Sequence, residues 1–77
     1  MTLSTMQPGE RAEVSGYGSA SPAYRSKLLA MGLTRGVTVR LCRVAPLGDP
    51  VEIEVRGFRL TLRKDEAAVL RLRAIDE

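Results

Sequence analysis

Val51-Glu52-Ile53-Glu54-Val55, then Arg56-Gly57, then Phe58-Arg59-Leu60-Thr61-Leu62-Arg63 is the stretch that decides the fold. Two strictly alternating runs flank a two-residue break, the pattern of a tight β-hairpin. With Arg56-Gly57 as the turn, Val55 faces Phe58, Ile53 faces Leu60 and Val51 faces Leu62, so every pair on that face is apolar. The other face pairs Glu54 with Arg59 and Glu52 with Thr61. Paired positions share a sheet face, so each strand has one apolar and one wet side, and Ile53, Phe58 and Leu60 are expected to line the core. A slip of one residue would set Phe58 against a glutamate. Arg-Gly is a weaker turn pair than Asn-Gly because the first turn position needs a positive φ, and a longer bulged loop is the alternative.

Working outward, Ala45-Pro46-Leu47-Gly48-Asp49-Pro50 reads as a loop stiffened by proline and bent at Gly48-Asp49, with Leu47 its one large apolar residue. Upstream, residues 37–43 alternate as a strand with Val37, Val39 and Leu41 inward and Thr38, Arg40 and Cys42 on the other face. Ser21-Pro22 is a helix start, a hydroxyl N-cap followed by proline at the first helical position. Tyr24, Leu28 and Met31 recur at helical spacing with Leu29 widening the stripe, and Gly32 ends the helix. That helix is too short to persist alone, so its stripe must dock, most simply over an open barrel end. Arg11 to Ser15 reads as a first strand with Ala12 and Val14 inward, after a lead-in from Leu3 to Gly9. Downstream, residues 64–68 form a helical turn with acids near its start, and 69–73 a last strand with Leu70 and Leu72 inward. The expected fold is mainly β, a small SH3-like barrel of about five strands with one short α-helix between strands one and two.

The 77 residues suit one domain, residues 1–77, and only three are aromatic, so the core must be aliphatic. One cysteine allows no intrachain disulfide, and no apolar run approaches the roughly 20 residues of a membrane helix. The first residues lack the basic and apolar regions of a signal peptide, so a cytoplasmic location is expected, with any membrane role exercised through a partner. The net charge of +3 comes from 12 basic residues scattered through every segment, many beside an acid, which reads as a solvated surface.

Three stretches resemble a known family. Leu28-Leu29-Ala30-Met31-Gly32-Leu33-Thr34-Arg35-Gly36 is similar to the helix-exit motif of the FeoA family, ferrous iron transport protein A, with Met31 where the family usually carries leucine or a similar apolar residue. Ala45-Pro46-Leu47-Gly48-Asp49-Pro50 running into Val51-Glu52-Ile53 and Arg56-Gly57-Phe58 resembles the family's central block, and Leu62-Arg63-Lys64-Asp65-Glu66-Ala67 the segment that closes it. Pro8-Gly9-Glu10 fits as well. The resemblance implies an SH3-like fold, a role in ferrous iron uptake, and contact with the cytoplasmic part of FeoB, a membrane permease with a GTPase domain. A stand-alone relative of the SH3-like domain that ends iron-dependent repressors is an alternative.

The side chains themselves argue against catalysis. The chain has no histidine, which removes the commonest general base and metal ligand. Cys42 lies near Arg40 and Arg43, but without a histidine partner it reads as an ordinary strand residue. Gly16-x-Gly18 lacks the further glycine, lysine and hydroxyl of a nucleotide loop. No enzyme, cofactor or dedicated metal site is expected, since Fe²⁺ favours imidazole and clustered carboxylates and the acids here are dispersed. Arg35 and Arg56, in turns, are weak candidates for an arginine finger, with nothing to select them. A partner-binding surface is expected from the helix, at Tyr24, Lys27, Leu28 and Met31, and from the loop tip, at Leu47, Gly48 and Asp49. A barrel of this size lacks the volume to hide Leu28, Leu29, Met31 and Leu47 together, and the remainder left exposed would make a shallow apolar cleft rimmed by Arg25 and Lys27, seating FeoB or a second copy of the chain. Nucleic acid is disfavoured because stacking platforms are scarce, with Phe58 committed to the core and only Tyr17 and Tyr24 left.

Overall fold

A computed structural model describes residues 1–18 and 22–75. Within them a single 3-10 turn over Leu3–Thr5 precedes β1 (Arg11–Tyr17), α1 (Pro22–Ala30), β2 (Thr38–Val44), β3 (Val51–Val55), β4 (Phe58–Leu62), α2 (Lys64–Val69) and β5 (Leu70–Ala74). The five strands form one antiparallel sheet in the order β4-β3-β2-β1-β5. Chain neighbours therefore pair as a meander, and β5 returns beside β1. The expected Ser21 N-cap lies outside the described residues, as does the end of the tail.

The hairpin has the expected register, with Val51↔Leu62, Ile53↔Leu60 and Val55↔Phe58 opposed. Arg56 at φ 51° and Gly57 at φ 82° make the two-residue turn, so no bulged loop is needed. A Cβ at Gly57 would meet nothing within 4 Å. The cost of Gly57→Ala is therefore purely conformational, about 1 kcal/mol or more for a left-handed alanine, and a urea midpoint will show it. The charges pair differently from the register. Arg59 bonds diagonally to Glu52 at 3.1 Å, while Glu54 takes Arg40 of β2 at 3.1 Å.

The core is aliphatic and continuous: Ala12 and Val14 of β1, Val39 and Leu41 of β2, Ile53 and Val55 of β3, Leu62 of β4, and Leu70 and Leu72 of β5. Val37 precedes β2 and is half-buried. Register shifts between Leu41 and Arg43, and between Val14 and Gly16, mark bulges that bend β2 and β1. Leu3 and Met6 of the lead-in are buried too, a contribution not expected from so short a stretch.

One expected core residue lies outside. Phe58 is 72% exposed, although its cross-strand partner Val55 is buried. Leu60 is half-buried and only Leu62 of β4 is fully enclosed. Alternation sets which face a side chain occupies, but not how far the core reaches along that face. β4 is an edge strand, and at its turn end the apolar face runs past its cover.

Candidate partner-binding surface

The face that gathers most of the expected binding residues is built by α1, α2 and the loop between β2 and β3. α1 begins at Pro22 and runs to Ala30, and Gly32 just beyond it, at φ 90°, gives the left-handed exit. The amides of Met31 and Leu33 both donate to the Leu28 carbonyl, at 3.2 and 3.0 Å, closing the last turn. Of the α1 side chains only Leu28 is buried, with no exposed surface at all. Leu28 therefore belongs to the core and cannot touch a partner. Met31 is half-buried and packs on the core. Leu29 is 40% exposed but lines a different hollow, together with Arg25.

The loop from Ala45 to Pro50 is braced at both ends. The Ala45 amide donates to the Pro50 carbonyl at 3.0 Å and the Gly48 amide to the Ala45 carbonyl at 2.8 Å. Gly48 adopts φ 84°, and the Asp49–Pro50 peptide is cis. The Lys64 amide, at the start of α2, donates to Asp49 Oδ1 at 2.9 Å. Leu47 is left standing at the tip, 92% exposed on a fixed backbone. An apolar side chain held out this way loses little conformational freedom on binding, because the loop is already ordered.

Beneath the loop, Glu66 is almost fully buried. Its Oε1 accepts the Arg63 amide at 2.9 Å, capping α2, and Lys27 Nζ from α1 pairs with Oε2. The Lys27 hydrogen bond first, then the Arg63 amide, hold the Glu66 carboxyl below its usual value against the opposing effect of burial. Together these contacts lock α1 to α2.

Tyr24, Lys27 and Asp49 come together as the walls of a groove of about 370 Å³, with Lys64, Asp65 and Glu66. Gly48 instead borders a second hollow of about 330 Å³, lined by Leu3, Met6, Val44, Ala67 and Ala68, and Lys64 stands between the two. Leu28 is hidden in the core and Met31 half-buried on it, and the exposed remainder, Leu29 and Leu47, does not share one cleft. The helix-side groove is polar, and the apolar hollow is made by the N-terminal turn and α2. The missed signal is Leu3-x-x-Met6, one helical turn of apolar spacing in a segment too short to show periodicity.

Phe58 in solvent also removes one objection to nucleic acid. Against it stands the pairing of Arg40, Arg59 and Arg73 with Glu54, Glu52 and Glu13. Among the described residues no three Cys, Asp or Glu side chains gather closely enough to hold a metal ion. None of the described helices is long and apolar enough to cross a membrane.

The FeoA domain family model matches residues 1–74. A Porphyromonas gingivalis protein described as a Fe(2+) transport protein A/Fe(2+) transporter FeoB fusion protein is 32% identical over 78 residues, covering 97% of this chain. The chain spans only 9% of that relative's length. The solution structure of FeoA from Chlorobium tepidum is 41% identical with a TM-score of 0.87, covering 99% of this chain and 71% of that one. A crystal structure of Stenotrophomonas maltophilia FeoA complexed with zinc, described as a prokaryotic SH3 domain protein, is 29% identical with a TM-score of 0.81, covering 95% and 89%. The five-stranded sheet described above is thus SH3-like.

Proposed function

Because the chain belongs to the FeoA family, we propose that it is an accessory of ferrous iron transport that works by seating on the cytoplasmic part of a FeoB-type permease. The observation that carries this reading is the Porphyromonas relative, in which a stretch similar to this chain and a FeoB transporter are one polypeptide. Fusion fixes two proteins at equal number and high effective concentration, an arrangement suited to partners that touch. The reading needs no catalytic group on this chain, and its chemistry is that of contact.

The contact surface proposed is the braced loop with the helix-side groove: Leu47 as apolar anchor, Gly48 and Asp49 as its rigid base, and Tyr24 and Lys27 as the polar wall. An exposed apolar tip ringed by charged groups matches the core-and-rim pattern of protein interfaces. Met31 is half-buried against the core, so charging it would disturb packing and any effect on binding could not be separated from it. Leu47→Asp is the cleaner change. At 92% exposure the loss of Leu47 leaves the core intact. In isothermal titration against the isolated cytoplasmic domain of a FeoB permease, Leu47→Asp is expected to weaken affinity at least tenfold, as for an interface anchor, with Tm unchanged. Undiminished affinity would refute the assignment of the loop tip. No measurable binding by the native chain would refute the contact itself.

A further inference from the structure

We propose that the free edge of β4 is a docking strip for an extended acidic segment of a partner, which joins the five-stranded sheet as an added strand of alternating apolar and carboxylate side chains. The sheet has two edges, β4 and β5, and the fold treats them differently. On β5 the outward backbone groups are taken. The Leu72 amide donates to the Met1 carbonyl at 2.8 Å, and the Met1 amine donates to the Leu72 carbonyl at 3.0 Å. The Leu70 amide donates to the Ala67 carbonyl. On β4 the turn decides which groups point outward. In a two-residue hairpin the residues flanking the turn exchange both backbone hydrogen bonds. Phe58, Leu60 and Leu62 therefore bond to β3, and the amides and carbonyls of Arg59 and Thr61 face away from it. Among the described residues none takes up those outward groups. The side chains of Phe58, Arg59 and Thr61 are all exposed, so nothing described lies over this edge.

The side chains of β4 select the occupant. On one face Phe58 is 72% exposed and Leu60 half-buried, so apolar surface runs out to the edge. The other face carries Arg59 and Thr61, with Arg56 in the turn and Arg63 just past the strand, and β4 itself has no carboxylate. One strand of matching chemistry already lies along β4. In β3, Glu54 stands opposite Arg59, Ile53 opposite Leu60 and Glu52 opposite Thr61. A strand on the outer edge meets the same two faces, so the same alternation fits it: carboxylates opposite Arg59 and Thr61, apolar groups opposite Phe58 and Leu60. Main-chain hydrogen bonds then supply affinity and alternate side chains supply specificity. A second copy of β4 does not fit. A two-fold axis at Arg59 sets that residue against itself, one at Thr61 sets Arg59 against Arg63, and one at Leu60 brings Arg56 toward Lys64. Like charges directly opposite are destabilising, and charged edges of this kind keep sheets from pairing with their own copies. The strip uses none of the residues assigned to the permease contact and does not rest on that reading.

The test titrates the ¹⁵N-labelled chain with the peptide acetyl-Val-Glu-Val-Glu-Val-Glu-Val-amide at about 0.15 M NaCl, where diffuse attraction is screened beyond about 8 Å. The expected result is one saturable site, with the largest amide shifts at Arg59 and Thr61 and slowed hydrogen exchange at both. Two methylated peptides probe the backbone without altering the protein. N-methylation of the glutamates removes the N–H groups that donate to the Arg59 and Thr61 carbonyls and should abolish binding. N-methylation of the inner valines, whose N–H groups point away from β4, should leave saturable binding at the same amides. A peptide with lysine in place of glutamate should not bind. On the protein, Phe58→Ala should weaken binding about two- to fivefold, the contribution of one cross-strand pair. Arg71→Gln, which removes a charge from the other edge, should leave it unchanged. Shifts that fail to saturate, shifts centred on β5 or on the groove, or equal binding by the peptide methylated at glutamate would overturn the proposal. Shifts along β2 would overturn it too, since they would mean that the peptide displaces β3.

Discussion

Leu28→Ala is expected to destabilise the fold by about 2–5 kcal/mol, lowering Tm by roughly 10 °C or more in a chain of this size. Leu28 is the one buried side chain of α1 and has no exposed surface. A nine-residue helix does not persist in water by itself, so its docking rests largely on that anchor. The neighbouring Leu29→Ala is the control. Both substitutions replace leucine by the better helix former, but Leu29 is 40% exposed and its loss should cost no more than about 0.5–1 kcal/mol. The difference between the two urea midpoints therefore isolates burial from helix propensity. Similar midpoints for the two variants would show that α1 is not anchored in this way. A loosened α1 also carries Tyr24 and Lys27 away from Asp49, so affinity for a partner on that face should fall with stability.

Much of this architecture was legible in the residues because alternation and turn chemistry are local. The register from Val51 to Leu62 follows from apolar pairs that only one alignment satisfies, and the structure repeats it pair by pair. The helix exit at Gly32 was readable for the same reason, since few residues but glycine take a φ of 90°. Phe58 was misread because position on an apolar face says nothing about where an edge strand outruns the core. Leu28 was misplaced for a related reason. A helical stripe identifies the docking side, but which of Leu28, Leu29 and Met31 sinks deepest depends on rotation about the axis, set by the packing of α1 on α2 and the core. Tyr24, Lys27 and Asp49 were readable singly, yet the hydrogen bond from Lys64 to Asp49 and the pair of Lys27 with Glu66 are long-range facts. No local pattern distinguishes Glu66 from its exposed neighbour Asp65. Only the packing of α1 across α2 does so.

Glu66 is accordingly the second place where a single change should have a large effect. Glu66→Ala removes the acceptor for the Arg63 amide and the partner of Lys27, and leaving a part-buried donor unsatisfied costs about 1–3 kcal/mol. Glu66→Gln keeps an acceptor for that amide and loses only the charge, so the two variants separate capping from pairing. The acid response gives an independent check. The Glu66 carboxyl titrates below its usual value near 4.5 in the folded protein, chiefly through Lys27 and then through the Arg63 amide. Its contribution to stability is therefore complete above the unfolded value and is lost as pH falls through the lower, folded value. The native chain should lose stability relative to Glu66→Gln as pH falls from neutral to below 4.5, because glutamine has no proton to take up. Lys27→Ala should move that acid limb to higher pH, since it deletes the largest cause of the lowered value while burial remains. Urea midpoints at successive pH values would show both effects, and parallel curves for the native chain and Glu66→Gln would mean that the α1–α2 lock is not electrostatic. With the lock released by acid, the groove beside Asp49 should open before the sheet does, because the aliphatic core shared by β1, β2, β3 and β5 contains no group that titrates.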